Sequence, residues 1–510
     1  MLVKWPLLVG LLGCAPDSDY ALDIEPVTPG NLSMSIGQPD VSLVHRDAAG
    51  TTALYPLGPL ADGDFGGLPP LLDGTIGLLL TRSGTASDPY VPADLIGYGE
   101  APLGGPLATG REERTVRMLI TEFAGTGDLG SVPRRRAPLM GAAVLLPSGA
   151  AYLFGGQRDG LTHDSIQRVI DIRSGNWELE ELDPMPAPSV LHTATALDDG
   201  TILVTGGRPA YFSIADNSSA AFIYDPQSSS IVWEAANSMN PGRSRHQAVK
   251  LRSGRVLVFG GWQGGGVDSS GGTFQIFDPD LRRFVDSGTA AASSLGTNLT
   301  AYGGEGAVVC GGFSFDFDTE RLIPSAACER ISLSGDLIPF PDLPEAMGIG
   351  AMAALPDGRI LLAGGVVGDI EIPFENGFLV GANVGQATDR AWLYEPGPNA
   401  WREVSALSTA RAGAVAVPSG DGRFVVIGGA AQVGAMIAED SGPVFCSEVF
   451  DPATDSFSSP GSCSTPGSGA FPPVSTQPGI GTFAVEGHLA PDGAEAGGQA
   501  YGIIGLAPSF

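Results

Sequence analysis

Lysine is almost missing from this 510-residue chain: Lys4 and Lys250 are the only two. Lysine-dependent chemistry would therefore fall on Lys250, which sits in the strand-like run HQAVKLRSG and reads as a solvated strand residue. Charge of either sign is sparse, at 16% of residues, and basic residues number 27 against 56 acidic, a net charge of −29. That balance excludes a phosphate-tracking footprint, so no nucleic-acid partner is expected. No apolar run approaches the roughly 20 residues that a helix needs to cross a bilayer. Only five cysteines are present, without CxxC or His-rich metal spacing, so no metal and no cofactor is expected. GxSxG, phosphate-loop and Ser-His-Asp signatures are also missing; GWQGGG at Gly261 joins strands and opens no helix. No catalytic residue is assigned.

Turn chemistry, in contrast, is abundant. The 74 glycines and 41 prolines exceed a fifth of the chain, which favours many short strands over long helices. An apolar content of 43% gives those strands a core to build and excludes a disordered chain.

From about residue 137 the chain repeats itself. A short apolar run ends in a Gly pair six times: Gly155-Gly156, Gly206-Gly207, Gly260-Gly261, Gly311-Gly312, Gly364-Gly365 and Gly428-Gly429. Successive steps are 51, 54, 51, 53 and 64 residues. Within each unit an alternating strand leads through a tight turn such as Asp199-Gly200 or Ser253-Gly254 to the run that ends in the Gly pair. A variable loop leads to a third strand ending in an aromatic, an acid and Pro, with Tyr224, Phe277, Tyr394 or Phe450. A fourth strand carries Trp177, Trp233, Phe284, Trp401 or Phe457. The fourth unit departs, since CERISLSG lacks the aromatic-acid-Pro ending.

Over about 370 residues this pattern resembles the kelch repeat, whose four-stranded units pack radially into a β-propeller. The fold expected is all-β: a seven-bladed kelch-type β-propeller over 113–510, with six blades as the alternative, preceded by a small β-sandwich-like domain over 31–112. Strands in 116–132 are expected to complete a last blade whose remaining strands lie at 481–487 and 500–505. In the alternative, 116–123 belongs to the N-terminal domain. His192 and His246 share one repeat position, a structural one near the axis in kelch units. Given the meander, Cys310 ends a second strand and Cys328 opens the third of the same blade, while Cys446 and Cys463 flank the outer strands of another. Two disulfides, Cys310–Cys328 and Cys446–Cys463, follow as expectations.

The N-terminus suggests an address. Lys4, an apolar run from Trp5 to Leu12 and Leu11-Leu12-Gly13-Cys14 resemble a bacterial lipoprotein signal over 1–13. The resemblance implies cleavage before Cys14, its lipidation, a tether over 14–30, and anchoring in the cell envelope, at the outer membrane, through lipid only.

In a four-stranded meander, the strand 2–3 loops and the links between blades emerge on one face. Here those are the long ones: 208–220, 262–273, 313–326, 366–389, 430–445 and 458–480. Loops of this length in a compact ring are usually functional. Their aromatic and polar residues Arg208, Tyr211, Phe212, Trp262, Gln263, Phe315, Phe374 and Asn376, with Arg243, Arg245 and His246 at the channel mouth on the same face, define the expected binding face. The function expected is an envelope-anchored binding or scaffold module for a protein or glycan, and no enzyme. The alternative is an extracytoplasmic enzyme resembling galactose oxidase or a kelch-type sialic acid epimerase. Alternating Asp316, Asp318 and Glu320 reads as a solvated edge in preference to a Ca²⁺ site.

Overall fold

The structure, a computed structural model, describes residues 5–10, 19–27, 39–46, 52–59, 64–65, 75–81, 95–102, 112–120 and 126–128. It continues, with short gaps, over 141–458, then 474–477, 481–489 and 495–503. Every regular element among the described residues is a strand. The architecture is all-β and propeller-like.

Among the described residues, seven four-stranded antiparallel sheets follow the repeat. The third shows the plan: Gln247–Lys250, Val256–Phe259, Thr273–Asp278 and Arg283–Thr289, paired in chain order. Second strands such as Val256–Phe259 and Ile360–Ala363 are buried throughout, because both faces of the sheet are covered. The apolar cores lie between consecutive sheets. One joins Leu203 and Ile223 of the second sheet to Val258 and Phe277 of the third; another joins Leu361 and Leu393 of the fifth to Phe424 and Phe450 of the sixth. Aromatics fill the wedges: Trp233 meets Phe277 of the next sheet at 5.4 Å, and Phe340 of the fourth meets Tyr394 of the fifth at 4.4 Å between ring centroids. Phe340 thus serves the fourth unit, whose third strand lacks the usual aromatic.

The Gly pair is the clasp between sheets. The first amide bonds its own third strand: Gly260 N donates to Thr273 O at 2.9 Å. The second bonds the next repeat: Gly261 N donates to Ser294 O at 2.8 Å. The same 2.8 Å bond runs from Gly156 to Ser189, Gly207 to Arg243, Gly312 to Met347 and Gly365 to Arg411. Gly260 and Gly261 hold φ of 65° and 85°, and a Cβ on Gly260 would sit 2.3 Å from Ser294 O. Only glycine meets both demands. Lys250 adds an ion pair across the seam between the second and third sheets, 2.7 Å from Asp198 of the second.

First strands of consecutive sheets touch in chain order from Ala142–Leu145 to Val415–Pro418, and Val474–Gln477 lies against both of these. The seventh sheet takes three strands from late in the chain, Val474–Gln477, Gly481–Leu489 and Glu495–Ile503, and one from far upstream, Thr126–Asp128. Two upstream strands were expected there. Instead Glu112–Ile120 pairs in parallel with Asp19–Val27 and also meets Leu95–Pro102. Its alternation marks a strand but carries no sign of which neighbour it will have.

The N-terminal strands form one eight-stranded sheet where a sandwich was expected. Its order is Thr52–Pro59, Asp40–Arg46, Thr75–Thr81, Leu95–Pro102, Glu112–Ile120, Asp19–Val27, Trp5–Gly10, Asp64–Phe65. Asp19–Val27, expected within a tether, is thus a paired strand, and the period-2 placement of Tyr20, Leu22 and Ile24 accounts for it.

Cys310 and Cys328 face each other across neighbouring strands and are disulfide-bonded, with Cα atoms 4.1 Å apart. The expected pair Cys446–Cys463 and the lipidation candidate Cys14 lie outside the described residues.

Candidate functional site

The long loops are built into a second tier. Arg243–Ser244 pairs with Trp262–Gln263, and Met347–Gly348 with Val366–Val367. Phe313–Asp316 and Arg321–Pro324, from the fourth repeat's loop, form a three-stranded sheet with Ile370–Glu371 from the fifth. Val384–Gln386 of the fifth loop pairs with Gln432–Gly434 of the sixth. Beneath them Trp262, Leu295, Phe313, Phe315, Leu322, Val366, Ile370 and Ala412 form an apolar core drawn from the loops and links of four repeats.

This tier corrects the expected binding face. Trp262, Gln263 and Phe315 are buried, at 5%, 5% and 2% exposure, and so are Arg208, Arg243 and His246. The aromatics fill the tier's own core, since loops and links that pack together need one. Tyr211, Phe212 and Asn376 lie outside the described residues; Phe374 lies in a short strand, Phe374–Glu375, paired with Phe378–Leu379. The tier's exposed rim is polar and acidic: Arg321 pairs with Glu371 at 2.5 Å and Asp369 at 3.7 Å. Asp316 accepts from Asp318 N at 2.9 Å and Thr319 Oγ1 at 2.9 Å, capping its own turn. No group of three or more His, Cys, Asp or Glu poised for a metal occurs among the described residues.

Arg243 is wholly buried. Its Nη1 donates to Gly260 O and Thr273 O, each at 2.9 Å, and Nη2 to Thr273 Oγ1 at 3.2 Å. Burial pushes the guanidinium down to about 10. Arg411 holds the same place in the sixth repeat and donates to Gly428 O at 3.2 Å, but it also pairs at 2.5 Å with the buried Glu448. Glu448 also accepts from Ser408 N at 2.6 Å. In the third repeat the counterpart of Glu448 is Gln275, which accepts from Asn240 N at 3.0 Å. The residue at this position is charged in one repeat and neutral in the other.

His246 stitches the second and third sheets. Its Nε2 lies 3.0 Å from Thr193 Oγ1 and 3.0 Å from Thr205 Oγ1, which are 2.8 Å apart. Burial, then the charges of Arg243 and His192, hold it well below the usual histidine range. Burial likewise lowers His192 to about 4, with a hydrogen bond to the Phe154 backbone carbonyl opposing. Gln247 Nε2 to Thr297 O at 2.6 Å, and Gly350 N to Asn298 Oδ1 at 2.7 Å, continue the stitching to the fourth and fifth sheets.

Sequence reasoning named Arg245 but missed the set to which it belongs. Two positions after the residue that receives each clasp, the backbone turns left-handed: Leu191, Arg245, Gly296, Ile349 and Gly413, with φ from 53° to 67°. Arg245 N donates to Leu191 O at 2.9 Å, Ile349 N to Gly296 O at 2.6 Å, and Gly413 N to Ile349 O at 2.8 Å. All five are half-buried, and nearly all of the residues flanking them are buried. Glycine at two of the equivalent positions was the available signal. Left-handed Leu, Arg and Ile are rare and cost of order 1 kcal/mol or more each, so the surroundings must enforce them.

No family model matches the chain. It is 26% identical over 259 residues to Adagio-like protein 1 of Oryza sativa subsp. japonica, covering 47% of this chain and 40% of that protein. It is 25% identical over 129 residues to tRNA wybutosine-synthesizing protein 4 of Eremothecium gossypii, covering 25% of this chain and 17% of the other. The chain thus spans well under half the length of these curated relatives. Among solved structures, YjhT aligns with 65% of this chain and 99% of its own, at 16% identity and a TM-score of 0.44. A copper-bound fungal alcohol oxidase of the AA5 family aligns with 76% of this chain and 79% of its own, at 16% identity and 0.48.

Proposed function

We propose that the chain is a binding module: seven sheets closed into a ring, presenting a protein or glycan ligand with the tier built from its long loops. The observation that carries this is the one-sided tier itself. Four repeats invest cross-repeat strands and a separate apolar core in loops that the ring does not need for closure, while the opposite turns stay tight, as at Asp199-Gly200 and Asp357-Gly358. A rigid scaffold that fixes irregular loops is the usual way to hold a recognition surface.

The ring reading is supported by the sixth sheet. One face packs on the fifth; the other carries Val415, Val417, Val425, Ile427 and Val449, which need a covering sheet. We place the module on the bacterial envelope through Cys14. Cleavage there would remove the strand Trp5–Gly10, and with it the pairing of Asp64–Phe65, and leave Asp19–Val27 as the edge of a six-stranded sheet, five residues from the lipid, holding that sheet beside the membrane.

The galactose-oxidase-like alternative would bring a copper centre, and the described residues do not fit one. His246 Nε2 is engaged by two threonines, His192 lies buried against Gly155, and Cys310 and Cys328 are bonded to each other. The test is capture from envelope extracts with the intact chain and with a variant whose 373–382 segment is replaced by a short Gly-Ser link. Loss of a specific partner in the variant supports the reading; identical capture by both removes it.

A further inference from the structure

We propose that the tight-turn end of the third sheet docks on an anionic phospholipid surface, with Arg252, Arg282 and Arg283 meeting the headgroup phosphates and Leu281 entering the apolar layer beneath them. The contact turns the loop tier away from the membrane. It rests on the envelope reading above for the bilayer that is met, and it gives a role to the face opposite the tier.

Two turns lie side by side at that end. Lys250 is the register partner of Val256, Val256 of Phe277, and Asp278 of Arg283, so the turns 251–254 and 279–282 emerge together. Arg252, Arg282 and Arg283 are all exposed, and none has a carboxylate within ion-pair distance among the described residues. Arg282 donates to Val232 O at 3.3 Å, a bond to a carbonyl that leaves its charge uncancelled. The other two cations of this end are matched: Lys250 by Asp198 at 2.7 Å and Arg255 by Asp278 at 2.9 Å. Asp280 is the exposed acid of the second turn, and one acid against three arginines leaves a positive excess. Leu281, between Asp280 and Arg282, is 54% exposed, and Val232 beside it in the second sheet is 38% exposed.

The charge of this end runs against the rest of the molecule. The corresponding turns of other repeats carry acids, as at Asp198 and Asp199, Asp357 and Glu395, and Asp451 and Asp455. Arginines near them are matched: Arg359 by Asp357 at 2.7 Å and Arg402 by Asp455 at 2.9 Å. In a chain of net charge −29, unmatched arginines around an exposed leucine fit a surface that is anionic outside and apolar beneath. Acids elsewhere on the ring act weakly there, since salt screens exposed charges beyond about 8–10 Å. Topology points the same way. Thr126 pairs with Ile503, where the third strand of the seventh sheet ends, so the chain enters the ring at its tight-turn end. Glu112–Ile120 precedes Thr126 by five residues and pairs with Asp19–Val27. The strands nearest the lipid thus join the ring from the arginines' own face.

The test is co-sedimentation of the unlipidated full chain, Cys14→Ser, with vesicles of phosphatidylcholine alone and with vesicles containing about a third phosphatidylglycerol. Attachment through the apolar N-terminal run is common to both and cancels in the comparison. The expected result is at least tenfold tighter binding to the phosphatidylglycerol vesicles, weakening as salt rises, since each arginine near an anionic surface contributes about fivefold. The triple variant Arg252→Gln, Arg282→Gln, Arg283→Gln is expected to bind both vesicles alike, and lysine at the same three positions to retain most of the preference. Leu281→Asn is expected to weaken binding roughly fivefold. Arg402→Gln, whose charge is already matched, leaves it unchanged. Equal binding of the parent to the two vesicles, or a full preference in the triple Gln variant, would overturn the proposal. So would an acidic protein captured through these arginines without any vesicle preference. The variant shortened at 373–382 separates this idea from the tier's binding role: it is expected to bind vesicles normally while losing the macromolecular partner, and the triple variant to do the reverse.

Discussion

Replacing Glu448 by Gln tests whether the repeats differ in charge balance as the geometry says. Arg411 and Glu448 are buried at 0% and 1% side-chain exposure, so neither charge is screened by water. Gln is nearly isosteric and still offers one oxygen, to Arg411 Nη2 or to Ser408 N, but it removes the counter-charge. Stranding one member of a buried pair typically costs about 3–5 kcal/mol. The retained hydrogen bond reduces this to an expected loss of about 2–4 kcal/mol. Urea unfolding followed by near-UV dichroism reads it as a lower midpoint at unchanged slope. The reciprocal change, Gln275→Glu, is expected not to destabilise, because it supplies Arg243 with the partner that Arg411 already has. A Glu448→Gln variant within about 0.5 kcal/mol of the parent, a size usual for surface substitutions, would refute this electrostatic account.

Glycine substitutions should separate close approach from backbone strain. Gly364→Ala puts a Cβ 2.2 Å from Arg411 O at φ 65° and is expected to cost well over 2 kcal/mol, whereas Gly200→Ala, at φ 82° with nothing within 4 Å, should cost only about 1 kcal/mol by thermal unfolding. Replacing Cys310 and Cys328 together by Ala should cost about 3 kcal/mol, the loop-entropy value for an 18-residue separation, read from urea midpoints. His192, lowered to about 4, stays neutral when folded and protonates near 6.5 when unfolded. Its contribution is therefore intact above about pH 6.5 and falls away by about 3 kcal/mol as the pH drops towards 4. His192→Gln should flatten that part of the stability–pH curve, and an unchanged curve would count against the burial of the ring.

Much of the fold could be read from the sequence because its determinants are local and recurrent. The Gly pairs announce themselves since no other residue tolerates both the left-handed turn and the neighbouring backbone. The aromatics of strands three and four sit in the wedges that the repeat implied, and Cys310 faces Cys328 as the meander requires. What failed depends on long-range partners. Trp262 and Phe315 look like exposed recognition residues until three loops and the links beside them are seen to share a core. Glu112–Ile120 reads equally well as a strand of either sheet, and Val474–Gln477 is too short and polar to stand out. The set of left-handed residues was hidden because Leu191, Arg245 and Ile349 carry no local sign of that conformation, which their neighbours impose.

Closure of the ring underlies the account and can be measured directly. Gly127 and Gly502 are register partners across the seam between the upstream strand and the late one. In a Gly127→Cys, Gly502→Cys variant oxidised under mild conditions, peptide mapping should recover a 127–502 disulfide in most of the monomer. Two free thiols at those positions, with the protein folded, would contradict the closed ring and the face built upon it.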